Sequence, residues 1–393
     1  MLGWLEEFAK NRELCAPFLI KNDADYYGDL RKRLTLLNKW LEAVSADDES
    51  RKIASKYGNK ICEAIRDYYK GNIGTCHQKI ENLIKGCSEH MLAVSDLYHS
   101  RAIPGDQNKE IQLFRARCLS DAKTLALKDM LHLPFSRRGK SGNYRFSIPG
   151  VTSLYLANTS YGCWIEMGKP SEHDFYVSPV VLDGTQRVLN LAVRSTDIRA
   201  LNDGKPDFVH CWLKLLILMI ATSYKVEEEN RTFRSEYIVS QSIMLACKRL
   251  GLNGIVYFSK RVEADSFAYA AINLALFADY NRHREYGEIC EHLKIDQPMN
   301  YQLFRQLSQS AIYQKYELRL ATSPYITNIG DFNRQYGYRE TMFYRFDEHL
   351  FARWKDKDTI TWGNAIKTQL ISESKDVVSI DVREKGNAQA MEA

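Results

Sequence analysis

Between Asn143 and Met167 the chain reads NYRFSIPGVTSLYLANTSYGCWIEM, and this stretch admits few local structures. Pro149-Gly150 is a turn dipeptide, because proline presets φ and glycine accepts the left-handed region. Ser153–Ala157 is a short apolar run of strand length. Asn158-Thr159-Ser160 then offers side-chain oxygens that can cap a helix, which puts Glu166 about two turns inside it. A strand that feeds a capped helix returns both ends of the segment to one rim. Arg145, Tyr155 and Glu166 are therefore able to face a single cleft. Spacing alone does not decide this, since a helical glutamate is most often solvated surface.

The 393 residues exceed one typical domain, so two or three domains with ample core are expected. Apolar residues make up 45% and charged residues 26%, the balance of a soluble globular chain. The formal charge of +5 is small for this length and comes without a dense Lys/Arg tract, so nucleic acid is not implied as a partner. Nine cysteines, an odd number with no C-x-x-C pair, point to reduced thiols in a cytosol. The opening MLGWLEEFAKNRELC lacks a basic start followed by an apolar core and does not read as a secretory signal. Phe208–Tyr224 is the most apolar run, but it is shorter than the ~20 residues of a spanning helix and holds His210 and Lys214. A buried helix is expected there, in a cytoplasmic protein.

Residues 1–100 carry helical periodicity. Leu30, Leu34, Leu37, Leu41 and Val44 recur at steps of three and four, as do Ile53, Tyr57, Ile61, Ile65 and Tyr68, and then Ile80, Ile84, Cys87, Met91 and Val94. Asp48 or Ser50, and then Thr75, are the candidate N-caps of the second and third helices, with Gly71-Asn72-Ile73-Gly74 as the break between them. An antiparallel bundle is expected. The three stretches share spacing but no sequence, so they are not repeats. Cys76, His77, Cys87 and His90 are a possible zinc set. Adjacent Cys76 and His77 converge poorly on one ion, and Cys87 lies on the apolar stripe, so no metal is expected.

Residues 101–110 read as a linker around Pro104-Gly105. Ile111–Arg117, Val177–Leu182, Arg187–Leu191, Ile255–Ser259 and Ile272–Phe277 read as strands and Glu236–Leu250 as a helix, without a regular β-α-β cadence. An α+β domain with a mixed or antiparallel sheet is expected. Arg137, Arg138 and Lys140, with Gly139 and Gly142, form a basic loop that suits phosphate or simply solvent. Farther on, Tyr301–Tyr316 has helical spacing. Arg339, Arg345 and Arg353, among Tyr338, Phe343 and Tyr344, suit either single-stranded RNA or a packed subdomain with snorkelling arginines; the subdomain is the expectation. The last stretch, 373–393, reads as a flexible tail.

Several of these pieces together resemble the RES domain, a family named for an arginine, a glutamate and a serine. They are Leu113-Phe114-Arg115-Ala116-Arg117, Arg145-Phe146-Ser147-x-Pro149-Gly150, Leu154-Tyr155-Leu156-Ala157 and Glu166. Downstream come Glu236-Tyr237-Ile238-Val239-Ser240-Gln241, Gly254–Ser259 and Asn273–Phe277. The resemblance covers residues 111–280. It gives a layout of a helical domain over 1–105, the RES domain over 111–280, a mostly helical extension over 281–372 and the tail.

The resemblance implies a fold similar to that of ADP-ribosyltransferase toxins and cleavage of the nicotinamide–ribose bond of NAD+, with water or phosphate as acceptor. NAD+ would be substrate and inorganic phosphate a co-substrate, with no other cofactor. Nicotinamide is a good leaving group, so the main demand is a carboxylate beside an oxocarbenium-like centre, and Glu166 fits that role. The diphosphate suits the planar fork of Arg115, with Arg145 as a second candidate. Tyr155 offers a ring for nicotinamide and a hydroxyl for ribose. Ser259 and Ser240 are both candidates for the family serine, and Gln241 and Asn273 are further binding candidates. Contiguous Arg234-Ser235-Glu236 cannot all point one way and is set aside. The alternatives are a mono-ADP-ribosyltransferase acting on a macromolecule and a catalytically idle scaffold. Family members resemble toxins of toxin–antitoxin pairs, which implies growth arrest or antiphage defence. The partners implied are an antitoxin, immunity or activator protein, or further copies of the chain.

Overall fold

The structure, a computed structural model, describes residues 3–308, 338 and 341–355, apart from short internal segments at 9, 23, 101, 104–108, 120–124, 196–197, 199–204, 229–230 and 263–270. After α1 (Gly3–Phe8) and the short strand β1 (Phe18–Ile20), three long helices follow. Helix α2 (Asp25–Ala43) buries Tyr26, Leu30, Leu34, Leu37 and Leu41, and α3 (Asp48–Tyr69) buries Ile53, Tyr57, Ile61 and Ile65. These are the stripes set by the three-and-four spacing, and each fully buried aliphatic side chain contributes roughly 1.5–3 kcal/mol. Helix α4 (Ile73–Lys85) buries Cys76, Ile80 and Ile84. The expected buried helix is α6 (Pro206–Thr222), and α7 (Ile238–Arg249) packs beside it.

A mixed sheet of nine strands lies beneath, counted among the described residues. Its order is β10 (Leu293–Ile295), β5 (Phe175–Asp183), β3 (Glu110–Cys118), β4 (Ser153–Ala157), β9 (Ile272–Phe277), β8 (Gly254–Phe258), β6 (Arg187–Leu191) and β2 (Val94–Asp96), with β11 (Met299–Asn300) also on β5. The neighbours are antiparallel except β6 and β8, which run parallel. A second ribbon pairs β1 in parallel with β7 (Tyr224–Val226). This is the expected α+β class.

Alternation along β9 explains how the sheet is covered. Leu274 and Leu276 point into a core completed by Leu97, Met130, Leu131 and Ile289, while Ala275 and Phe277 point under the helices. The N-terminal helices belong to that same helical layer. Tyr26 donates from its hydroxyl to the Ala221 carbonyl at 2.8 Å, and the Tyr224 hydroxyl donates to Asp29 at 2.9 Å. A third cluster gathers α5 (Ser160–Glu166), α8 (Tyr301–Ser308) and α9 (Met342–Lys355) against β3 and β5.

Several local expectations are corrected. Residues 1–100 are not wholly helical, since β1 and β2 are strands. Helix α4 stops at Lys85, so the apparent stripe through Met91 and Val94 is broken; Met91 is 64% exposed and Val94 pairs with Leu189. The cap of α3 is Asp47, whose carboxylate accepts from the Ser50 N–H at 2.9 Å and meets His210 Nε2 at 3.0 Å. Thr75 lies inside α4, which starts without a side-chain cap after a backbone turn at Gly71, φ 80°. Phe135–Lys140 is a 3₁₀ turn rather than an open loop. Tyr338 and Phe343 are buried, as expected of a packed subdomain. The expectations for Arg339, the linker at 104–108 and the tail 373–393 fall outside the described residues.

Candidate active site

Strands β3 and β4 pair in register at Phe114 and Ala157, and no further register pair joins their described residues. Beyond that point the β3–β4 ladder ends, and backbone carbonyls facing the gap need another donor. Arg115 Nη1 donates to the Tyr155 carbonyl at 2.8 Å. A cavity of about 430 Å³ opens along this split, lined by Arg115, Arg117, Tyr155 and Ala157 among others.

Three further elements close the cavity. The end of the 3₁₀ turn and the segment after it bring Lys140, Tyr144, Arg145 and Ser147, α5 brings Glu166, and the end of β8 brings Tyr257, Lys260 and Arg261, with Asn273 from β9. Thr159 caps α5 by accepting from the Gly162 N–H at 2.9 Å, one of the three candidate oxygens of Asn158–Ser160. The neighbouring Asn158 side chain instead accepts from the Ile272 N–H at 3.0 Å, extending the β4–β9 ladder. Glu166 is the last residue of the short helix and points into the cavity wall.

Glu166 is held on one side and open on the other. Asn273 Nδ2 donates to Oε1 at 2.7 Å, whereas Oε2 lies 3.8 Å from Arg261 Nε, and the side chain is 34% exposed. Around this carboxylate, the one acidic group lining the cavity among the described residues, stand six cations, Arg115, Arg117, Lys140, Arg145, Lys260 and Arg261. Arg117 is fixed through the Asp129 and Leu131 carbonyls at 2.8 and 3.0 Å. Burial, followed by the like charge of Arg117, lowers the Arg115 pKa but leaves a guanidinium charged at neutral pH. Burial, then Arg145, pushes Lys260 down to about 7, against the opposing pull of Glu236 and Glu166. Lys260 Nζ donates to the Tyr224 carbonyl at 2.7 Å and lies 4.5 Å from the Tyr237 ring centroid.

Residues 112–293 match the RES domain. They form a RES domain. The chain is also 28% identical over 221 residues to a Bacillus subtilis (strain 168) protein named "Putative toxin YopC", an alignment covering 51% of this chain and 48% of that protein. This chain thus spans about half the length of the curated relative it matches. Among solved structures, a chain of the M. tuberculosis MbcT-MbcA toxin-antitoxin complex aligns at 13% identity over 59% of this chain and 97% of that one, with a TM-score of 0.29.

The RES domain brings Arg115, Arg145, Tyr155, Glu166 and Asn273 to one cavity, and leaves Ser240, Ser259 and Gln241 outside its lining. Ser240 is buried in α7, with its hydroxyl on the Tyr237 carbonyl at 3.1 Å. Ser259 accepts from the Arg261 N–H at 3.1 Å, holding the strand-end turn that presents Lys260 and Arg261. Gln241 clasps the opposite rim, its Nε2 reaching Asn143 Oδ1, the Tyr144 carbonyl and the Ser147 carbonyl at 2.6, 3.2 and 3.1 Å. Arg145 is 7% exposed; its amino groups donate to the Phe258 carbonyl, Thr222 Oγ1 and Ser223 Oγ at 2.9, 3.3 and 3.0 Å. Glu236 pairs with Arg231 through both oxygens, so Arg234-Ser235-Glu236 does not converge.

Ser147, Arg117, Lys260 and Arg261 are cavity residues that sequence reasoning passed over. Ser147 Oγ lies 2.7 Å from the Tyr155 hydroxyl. Its signal was its place in Arg145-Phe146-Ser147, between two candidates. Lys260-Arg261 follow Ser259 directly, and a cation pair at a strand end beside a candidate serine was a readable cue. From the basic loop only Lys140 lines the cavity; Arg138 lies over the Tyr280 ring, 4.0 Å from its centroid. Among the described residues no helix is long and apolar enough to cross a membrane.

Proposed function

We propose that this RES domain cleaves the bond between nicotinamide and ribose in NAD+, with water or phosphate as acceptor, and that the chain acts as a growth-arresting toxin. The observation that carries this reading is one carboxylate, half fixed by Asn273, inside a wall of cations. Such a cavity complements a ligand with an anionic diphosphate at one end and a carbon that gains positive charge at the other. The name of the Bacillus relative supports the toxin reading.

In the reaction, the C–N bond breaks and its electron pair leaves with the pyridinium nitrogen, so nicotinamide departs neutral. Glu166 stabilises the oxocarbenium-like carbon, and an oxygen of phosphate, or of water with release of one proton to solvent, then bonds to that carbon. Asn273 fixes the carboxylate so that little reorganisation is needed as charge develops. Arg115, with one amino group on Tyr155 and the other without an acceptor among the described residues, takes the phosphates together with Arg117 and Lys260. Tyr155, its hydroxyl tied to Ser147, offers a ring to nicotinamide. Emptying its host's NAD+ pool requires restraint, which an antitoxin or immunity protein would supply.

The test is to incubate the purified chain with NAD+, with and without phosphate, and identify products by mass spectrometry. Nicotinamide with ADP-ribose or its 1-phosphate is expected. Intact NAD+ under both conditions, or ADP-ribose found only on a macromolecule, would overturn the reading.

A further inference from the structure

We infer that Asp347, on helix α9 outside the matched RES domain, is a positioning residue for Glu166. The inference rests on the reading of Glu166 as the group facing the reacting carbon. Asp347 is 7% exposed, and its Oδ1 accepts from the Ser160 N–H at 3.1 Å, at the start of the helix that ends in Glu166. Its Oδ2 accepts from the Tyr338 hydroxyl.

A helix start has amide groups with no partner in the helix. In α5 the Gly162 N–H goes to Thr159, and the Ser160 N–H is satisfied from 187 residues away. A seven-residue helix has little intrinsic stability, so its direction is set by what holds its ends. Around Asp347 the brace continues as an aromatic block. Phe343 lies 5.4 Å from both Tyr161 and Trp164 of α5, and stacks on Tyr301 at 4.7 Å. Phe351 meets Phe114, the residue before Arg115, at 5.1 Å. The extension thus sits behind both the glutamate helix and the arginine strand. The two hydrogen bonds of Asp347 go to Ser160 and Tyr338, neither of which lines the cavity, so the effect is on geometry rather than on ligand contact.

The experiment compares Asp347→Ala and Asp347→Asn in the full chain, by hydrogen exchange of the peptide over 160–167 and by steady-state NAD+ turnover. Asparagine keeps the oxygen that accepts from Ser160; alanine does not. For Asp347→Ala we expect exchange in 160–167 to rise about tenfold with β8 and β9 unchanged, and kcat to fall about tenfold with KM within twofold. Asp347→Asn should stay within about threefold of the parent in both readouts. A folded Asp347→Ala protein with parental exchange and kcat overturns the inference, as does a change in KM alone. Should Asp347→Ala not fold, Tyr338→Phe decides, since it removes only the hydroxyl that bonds Oδ2 and faces Thr159 and Ser160 at the same helix start. A kcat lowered about threefold supports the brace, and an unchanged kcat overturns it. If the parent chain itself leaves NAD+ intact, the functional reading has failed and the exchange measurement still decides the brace.

Discussion

Glu166 and Arg145 line the same cavity, and their surroundings treat them in opposite ways. Arg145 is nearly sealed, with both amino groups spent on three acceptors and its guanidinium between the rings of Phe146 and Tyr257, 5.0 and 4.9 Å away. Glu166 is a third exposed, with one oxygen fixed by Asn273 and the other facing Arg261 across 3.8 Å. Arg145 Nε has no partner among the described residues, yet a buried charge whose amino groups hold three acceptors serves structure, because moving it strands those acceptors. A charge with one anchored and one open oxygen is oriented and still available. Both residues stand in the resemblance to the RES family, and their hydrogen bonds separate their jobs.

The strongest way to break this comparison is Glu166→Gln. The change keeps shape and removes charge beside the developing cation, so kcat for NAD+ loss should fall by about 10²–10³. The melting temperature should stay near that of the parent. Unchanged turnover in folded Glu166→Gln protein would sink the assignment. Arg145→Met should behave in the reverse sense. Three acceptors lose their donor at roughly 1 kcal/mol each, so a loss of about 2–4 kcal/mol is expected in denaturant unfolding. The folded fraction at low temperature should keep kcat within about fivefold. A stable Arg145→Met enzyme with a large rise in KM would instead make Arg145 a phosphate ligand.

How far these roles were legible in the sequence follows from what each depends on. The helices of the first hundred residues were readable because burial repeats with the helical turn: Leu30, Leu34, Leu37 and Leu41 could hardly lie elsewhere. Strands β1 and β2 were not, since three residues are too few for a period, and Val94 is held by Leu189 from far along the chain. Gathering Arg115, Tyr155 and Glu166 was possible from local strand–cap–helix logic plus the family pattern. The bonding of Arg145 was not, because Thr222, Ser223 and Phe258 reach it from 77 to 113 residues away. The same holds for Gln241, whose polarity suggested a ligand and whose side chain serves the rim. Asp347 carried no sequence signal at all. Its meaning arises only when α9 lies behind α5.

A smaller effect is expected at Arg115, and it tests whether partial bonding marks a ligand group. One amino group holds the Tyr155 carbonyl, so Arg115→Ala removes both a strand-gap bond and the proposed phosphate fork. KM for NAD+ should rise about tenfold with kcat within threefold, and saturating NAD+ should recover most of the rate. Arg115→Lys should rescue poorly, since a point charge cannot make a bidentate contact. A fall in kcat alone, or aggregation, would put Arg115 with Arg145 among the structural charges.

The smallest expected effect sharpens the comparison through pH. Lys260 is pushed down to about 7, first by burial and then by Arg145, while Glu236 and Glu166 pull the other way and Arg234 adds to Arg145. Among the described residues its ammonium donates to a backbone carbonyl, and the Tyr237 ring covers one side. Below that pKa the ammonium is charged and adds to the cationic wall; above it the amine is neutral and contributes no charge. KM for NAD+ should therefore be lowest near pH 6 and rise about threefold by pH 8, with kcat following its own course. Lys260→Arg keeps the charge across that range and should flatten the KM profile, whereas Lys260→Met should hold KM at the high-pH value throughout. Profiles that coincide for the parent and both variants would remove Lys260 from the binding wall and leave it, like Arg145, a residue that holds the fold.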